Sequence, residues 1–126
     1  MNARLDVREM FSTEAEQAVL GAALASPEAL LELQAQGLGA DEFHLPAHRT
    51  IWLAIGRIAE AGGAVDPITV ADDLAAGGRL DSCGGLTYLG ALMSEAVSPA
   101  NAAAYAQRVR ERRHERDWFR AGREIC

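Results

Sequence analysis

The side chains best able to do chemistry in this 126-residue chain fall in a few short stretches. Asp41, Glu42, His44 and His48 bring carboxylates and imidazoles together, and two histidines four apart on a helix is a zinc-binding spacing. Pro46 stands between them, and the residue before a proline avoids helical geometry, so the two imidazoles do not share one continuous helical face. The reading that follows is a structural His48 at the start of a helix, with no metal assigned. Asp72-Asp73 offers paired carboxylates, but adjacent helical residues point about 100° apart. Both lie opposite the apolar stripe of their helix, as on a solvated face. Cys83 has no basic sequence neighbour to activate it, and Cys83 with Cys126 makes neither a metal spacing nor a disulfide framework. Gly84-Gly85 lacks the pattern and preceding strand of a phosphate loop and reads as a turn before a helix.

All 12 basic residues are Arg; there is no Lys at any position. A Walker loop needs its Lys to reach the β and γ phosphates, and Schiff-base chemistry needs an amine, so this chain can do neither. The expectation is a non-enzymatic chain without a cofactor. Charge is polarised within the overall −6: residues 1–107 hold five Arg against fourteen acids, whereas residues 108–126 hold seven Arg against four. Arg108, Arg112, Arg116 and Arg120 therefore define an alternative nucleic-acid surface, since neutralised phosphates supply most non-specific DNA affinity. Glu111, Asp117 and Glu124 stand three or four residues from Arg108, Arg113 and Arg120 and answer part of that charge.

The elements that position these groups read as helices throughout. Twenty-five residues are Ala and only seven are aromatic, which favours closely packed helices over a deep ligand pocket. A capping residue followed by Pro opens helices at Ser26-Pro27, Asp66-Pro67 and Ser98-Pro99. Gly37 and Gly39, Gly62-Gly63 and Gly77-Gly78 supply stops. The first helix is expected from Thr13 or Glu14 to Ala25, capped by Ser12 or by a Thr13–Glu16 box. Others cover about 27–36, 47–61, 67–76 and 85–95, and the last runs from Pro99 to about Arg123. The third, with Ile51, Trp52, Ile55, Ile58 and Ala59, is expected at the centre of the core. The fourth turns Val70, Ala71, Leu74 and Ala75 inward, and the fifth Leu86, Leu89 and Met93. The fold class is all-α: a compact bundle of about six helices. It divides into an N-terminal arm (1–11), a globular head (12–107) and a projecting helix (108–126) that is polar all round until Trp118 and Phe119. No apolar stretch approaches the roughly 20 residues of a membrane span, and residues 1–11 lack a secretion signal, so a soluble protein of the reducing cytoplasm is expected.

Ser12-Thr13-Glu14-Ala15-Glu16-Gln17-Ala18-Val19-Leu20-Gly21 resembles the opening of the N-terminal domain of bacterial replicative DNA helicases, the DnaB family. Further blocks follow in that family's order: Asp41-Glu42-Phe43 with Pro46-Ala47-His48-Arg49 and Ile51-Trp52, then Asp66-Pro67-Ile68-Thr69-Val70, then Gly84-Gly85-Leu86-Thr87-Tyr88-Leu89, then Ser98-Pro99-Ala100-Asn101-Ala102 with Tyr105-Ala106 and Val109-Arg110-Glu111. The resemblance spans about residues 12–125. His114-Glu115 and Gly122 depart from the pattern, where two apolar residues and a helix former are usual.

The resemblance implies an all-α head followed by the first helix of a helical hairpin, which the chain leaves truncated at Cys126. It implies a collar formed by pairing of hairpins, and hence self-association, allowing a dimer of the isolated piece and a hexamer of the parent helicase. It also implies binding of the primase C-terminal domain, with Glu14, Tyr88, Phe119 and Ile125 at the matching contact positions. DNA and ATP would be handled by the parent's motor domain.

Overall fold

The computed structural model describes residues 3–111, with side chains from residue 13 onward. All regular structure among them is helical: α1 (Ala3–Ala25), α2 (Pro27–Ala35), α3 (Pro46–Glu60), α4 (Pro67–Ala76), α5 (Gly85–Ser94) and α6 (residues 99–111). Short 3-10 turns occupy Ala40–Glu42 and Asp81–Cys83. The expected all-α architecture of six helices is what forms. Of the segment expected to project (108–126), residues 112–126, with Trp118 and Phe119, lie outside the described residues.

The capped-Pro starts are real. The Ser26 hydroxyl accepts from Ala29 N–H (3.1 Å) and the Ser98 hydroxyl from Asn101 N–H (3.2 Å). Asp66 forms a reciprocal box, its carboxylate accepting from Thr69 N–H (2.8 Å) while the Thr69 hydroxyl accepts from Asp66 N–H (3.0 Å). Each cap satisfies a backbone donor that a helix start leaves without an intrahelical partner. Asp66→Ala should therefore lower stability by about 1 kcal/mol. Ser98→Ala should cost less, because its site is exposed to water; urea melts showing an unchanged midpoint for both would refute these starts.

The start of α1 differs from expectation. The helix runs back to Ala3 through Ser12 and Thr13, rather than starting at Thr13 or Glu14. A capping residue satisfies a start but does not enforce one, and no Pro or Gly interrupts the chain between Ala3 and Leu20. Nor does Glu16 close a box with Thr13: its side chain crosses to another helix, as described below.

The core is assembled on α1, which packs against α2, α3 and α5. Val19, Leu20, Ala22, Ala23 and Leu24 are all buried along it. From α3 come Ile51, Trp52 and Ile55, with Phe43 tilted against Trp52 at 5.6 Å between ring centroids. The Trp52 indole N–H donates to the Leu38 carbonyl (3.1 Å), so its polar edge is not left unpaired. Ala102, Ala106 and Val109 dock α6, and Arg110 on its far turn meets Glu42 at 3.2 Å.

Three inward assignments are corrected. Ala75 is exposed, as are Leu86 and Met93, while Leu92 is buried. The buried face of α5 is set by its crossing with α1 rather than by the spacing of its largest side chains. Gly21 of α1 lies so close to the Leu92 carbonyl that a methyl group there would overlap it. That contact turns Leu89 and Leu92 inward and Leu86 out.

Candidate functional site

A groove of about 660 Å³ lies between α1, α5 and α6, lined by Glu14, Gln17, Tyr88, Leu92, Glu95 and Tyr105 among others. Among the described residues its walls combine carboxylates with phenol rings and carry no cationic side chain. Tyr88 is placed by two features. Gly84, at φ 95°, makes the left-handed turn that opens α5, and a Cβ there would sit 2.7 Å from the Tyr88 Cβ. Glycine is required on both counts, for the turn and for the ring that folds over it.

Behind Tyr88 runs a chain of polar groups that crosses three helices. Its hydroxyl lies 2.6 Å from His48 Nε2, and the two rings are nearly parallel. His48 Nδ1 lies 2.8 Å from Glu16 Oε1. His48 and Glu16 are each 1% exposed, in a core otherwise made of apolar side chains. The Glu16 carboxylate also accepts from the backbone N–H groups of His44 and Leu45, at the start of α3. Leu45 is the N-cap of α3 and has no side-chain acceptor of its own. A carboxylate borrowed from α1 thus caps α3, where the helix dipole favours negative charge. Gln17 completes the chain, its amide donating to the Tyr88 hydroxyl (3.1 Å).

These distances fit one tautomer of a neutral His48. With two backbone donors already on the carboxylate, Glu16 acts as acceptor, and Nδ1–H of His48 donates to it. In the neutral imidazole, Nε2 is then the acceptor for the Tyr88 O–H, and the phenol oxygen accepts from Gln17. Every member of the chain is satisfied, which a buried polar network requires if it is not to destabilise the fold.

Glu14 and Tyr88, the two described positions among the four expected at a primase contact, do line one groove; Glu14 is exposed and Tyr88 half-buried. Phe119 and Ile125 lie outside the described residues, as do Arg112, Arg116 and Arg120. Arg108 is exposed on α6. His44 and His48 are separated as expected, one exposed and the other buried. Among the described residues no group of three or more His, Cys, Asp or Glu is placed to hold a metal ion. Asp72 is exposed, but Asp73 is engaged by the Arg57 guanidinium on α3, which contacts both carboxylate oxygens. Cys83 is buried, and that burial raises its thiol pKa, against smaller lowering effects of Ser82 and Arg79. No described helix is long and apolar enough to cross a membrane.

Sequence reasoning did not find Glu16, Gln17, Glu95 or Tyr105 as parts of a site. For Glu16 a signal was present: it shares a helical face with Leu20 and Ala23, at i+4 and i+7, and a carboxylate on a buried face demands a partner.

Comparison with known proteins matches residues 8–111 to the family model described as the DnaB-like helicase N terminal domain. The chain is 41% identical over 101 residues to the replicative DNA helicase DnaB of Geobacillus stearothermophilus and 37% identical over 99 residues to the replicative DNA helicase DnaC of Bacillus subtilis (strain 168). Those matches cover 80% and 79% of this chain but 22% of each relative, so the chain spans about a fifth of their length. The crystal structure of the N-terminal domain of DnaB helicase from Mycobacterium tuberculosis superposes with a TM-score of 0.83 at 36% identity, covering 88% of this chain and 79% of that one. With a six-helix fold that superposes on that domain and a family match over most of its length, this chain belongs to the DnaB-like N-terminal domains of bacterial replicative helicases.

Proposed function

We propose that this chain is a non-catalytic interaction domain that recruits the C-terminal domain of primase to a replicative helicase at the replication fork, in the cytoplasm. The supporting observation is that Glu14 and Tyr88, distant in sequence, line the same groove between α1, α5 and α6. In this reading the segment from residue 108 starts the hairpin through which copies pair, as dimers in isolation and as the hexameric collar of the parent helicase, in which Phe119 and Ile125 complete the primase contact. ATP hydrolysis and DNA translocation belong to the motor domain of that parent.

Tyr88 carries the test. Its ring offers large contact area at low entropic cost, the property that enriches tyrosine in binding hot spots. Tyr88→Ala should weaken binding of the primase C-terminal domain by more than about tenfold. Isothermal titration alongside circular dichroism reads both affinity and fold. Unchanged affinity in a folded variant removes Tyr88 from the contact, and absence of binding by the wild-type chain refutes primase recruitment by this domain.

A further inference from the structure

We infer that the buried Glu16–His48 pair is a positioning device for Tyr88, and that partner binding at the groove depends on it through the Tyr88 hydroxyl. The inference rests on the reading of this groove as the primase-docking surface. Three observations carry it. His48 is 1% exposed and is not among the residues that line the groove, yet its Nε2 lies 2.6 Å from the hydroxyl of one that does. The imidazole is itself held from behind, since Glu16 fixes Nδ1 and is in turn fixed by two backbone N–H groups of the α3 start. Gln17, on the groove wall, donates to the same hydroxyl and closes the ring's remaining freedom about its Cα–Cβ bond.

The physical consequence is preorganisation. A tyrosine free to rotate loses rotamer entropy when a partner immobilises it, whereas one already tied at its far end does not. The tie runs from the hydroxyl of Tyr88 on α5, through α3, to α1, so the groove wall keeps its shape only while those three helices keep their relative positions. Neither Glu16 nor His48 touches the partner in this reading; both act through Tyr88.

Conservative variants separate positioning from mere stability. In His48→Asn the amide nitrogen falls near Nδ1, keeping the bond to Glu16 and breaking the link to Tyr88. In His48→Gln the terminal amide falls near Nε2 and keeps an acceptor for the hydroxyl. Tyr88→Phe breaks the same link from the groove side while retaining the ring, and provides a folded variant should His48→Asn prove too unstable. Two readouts are taken on the full chain: mobility of the residue 88 ring by NMR relaxation, which needs no partner, and affinity for the primase C-terminal domain.

The expected result is a loosened ring in His48→Asn and Tyr88→Phe, with affinity lower by about three- to tenfold, the scale of one hydrogen bond. The double variant should bind no worse than Tyr88→Phe, which already cuts the links of the hydroxyl to both His48 and Gln17, and His48→Gln should restore affinity relative to His48→Asn. A ring as rigid in His48→Asn and Tyr88→Phe as in wild type overturns the positioning role. A loosened ring with unchanged affinity overturns its connection to recognition. If wild-type protein does not bind primase, the docking reading falls, while the ring measurement still decides whether the pair positions Tyr88.

Discussion

Glu16→Ala should destabilise the domain by about 3–5 kcal/mol, since it strips the acceptor from three donors and each buried donor left unsatisfied costs about 1–3 kcal/mol. The side chain is 1% exposed and serves three donors at once: His48 Nδ1–H and the backbone N–H groups of His44 and Leu45. Alanine leaves the buried His48 Nδ1–H facing apolar packing and takes the acceptor from two part-buried backbone donors. It also removes the side-chain acceptor at the start of α3, whose N-cap Leu45 makes no side-chain cap bond. Domains of this size are held by about 5–15 kcal/mol, so the variant should be partly unfolded at room temperature or melt far below wild type. Urea denaturation of both proteins decides it. A loss below about 1 kcal/mol would mean that the carboxylate is solvated and that the network does not hold the three helices together. Glu16→Gln, which keeps one carbonyl acceptor but turns an N–H₂ group toward a donor, should fall between the two.

Gly21→Ala should cost about 3 kcal/mol, although alanine is the better helix former by about 1 kcal/mol. The added methyl group overlaps the Leu92 carbonyl oxygen and comes within 3.6 Å of the Ala96 Cα. These are backbone atoms, with no flexible side chain to give way, so α1 and α5 must move apart and loosen Leu89 and Leu92. Gly56 of α3 supplies the opposite sign. A Cβ there meets nothing within 4 Å, so Gly56→Ala should stabilise by up to about 1 kcal/mol. Thermal melts of the two variants should move in opposite directions; a neutral or stabilising Gly21→Ala would show that the two helices cross at a greater distance. Because Tyr88 and Glu95 stand on either side of this crossing in sequence, a folded Gly21→Ala protein should also have a misshapen groove.

What the sequence determined by itself are the local decisions. Ser26, Asp66 and Ser98 open helices because a side-chain oxygen two or three residues from an unpaired N–H needs nothing else from the fold. Gly37, Gly62 and Gly78 take the left-handed φ that ends α2, α3 and α4, whereas Gly39, Gly63 and Gly77 do not, a choice within each pair that spacing left open. The all-α class, the absence of a Walker Lys and the placing of Glu14 and Tyr88 on the first and fifth helices were likewise readable, because each depends on residues near one another in the chain.

The tertiary structure alone decided what depends on contacts between distant segments. Glu16 shares the buried face of Leu20 and Ala23, but only the approach of α3 supplies the donors that make it a buried acceptor, while Glu14 two residues earlier stays exposed on a groove. Leu86 and Leu92 have the same affinity for a core, and the contact of Gly21 with the α5 backbone selects Leu92. The Tyr88–His48–Glu16 chain joins α5, α3 and α1, so no window of the sequence contains it. Hydrogen bonds of about 3 Å demand atomic registry, and that registry exists only once apolar burial has fixed how the three helices cross.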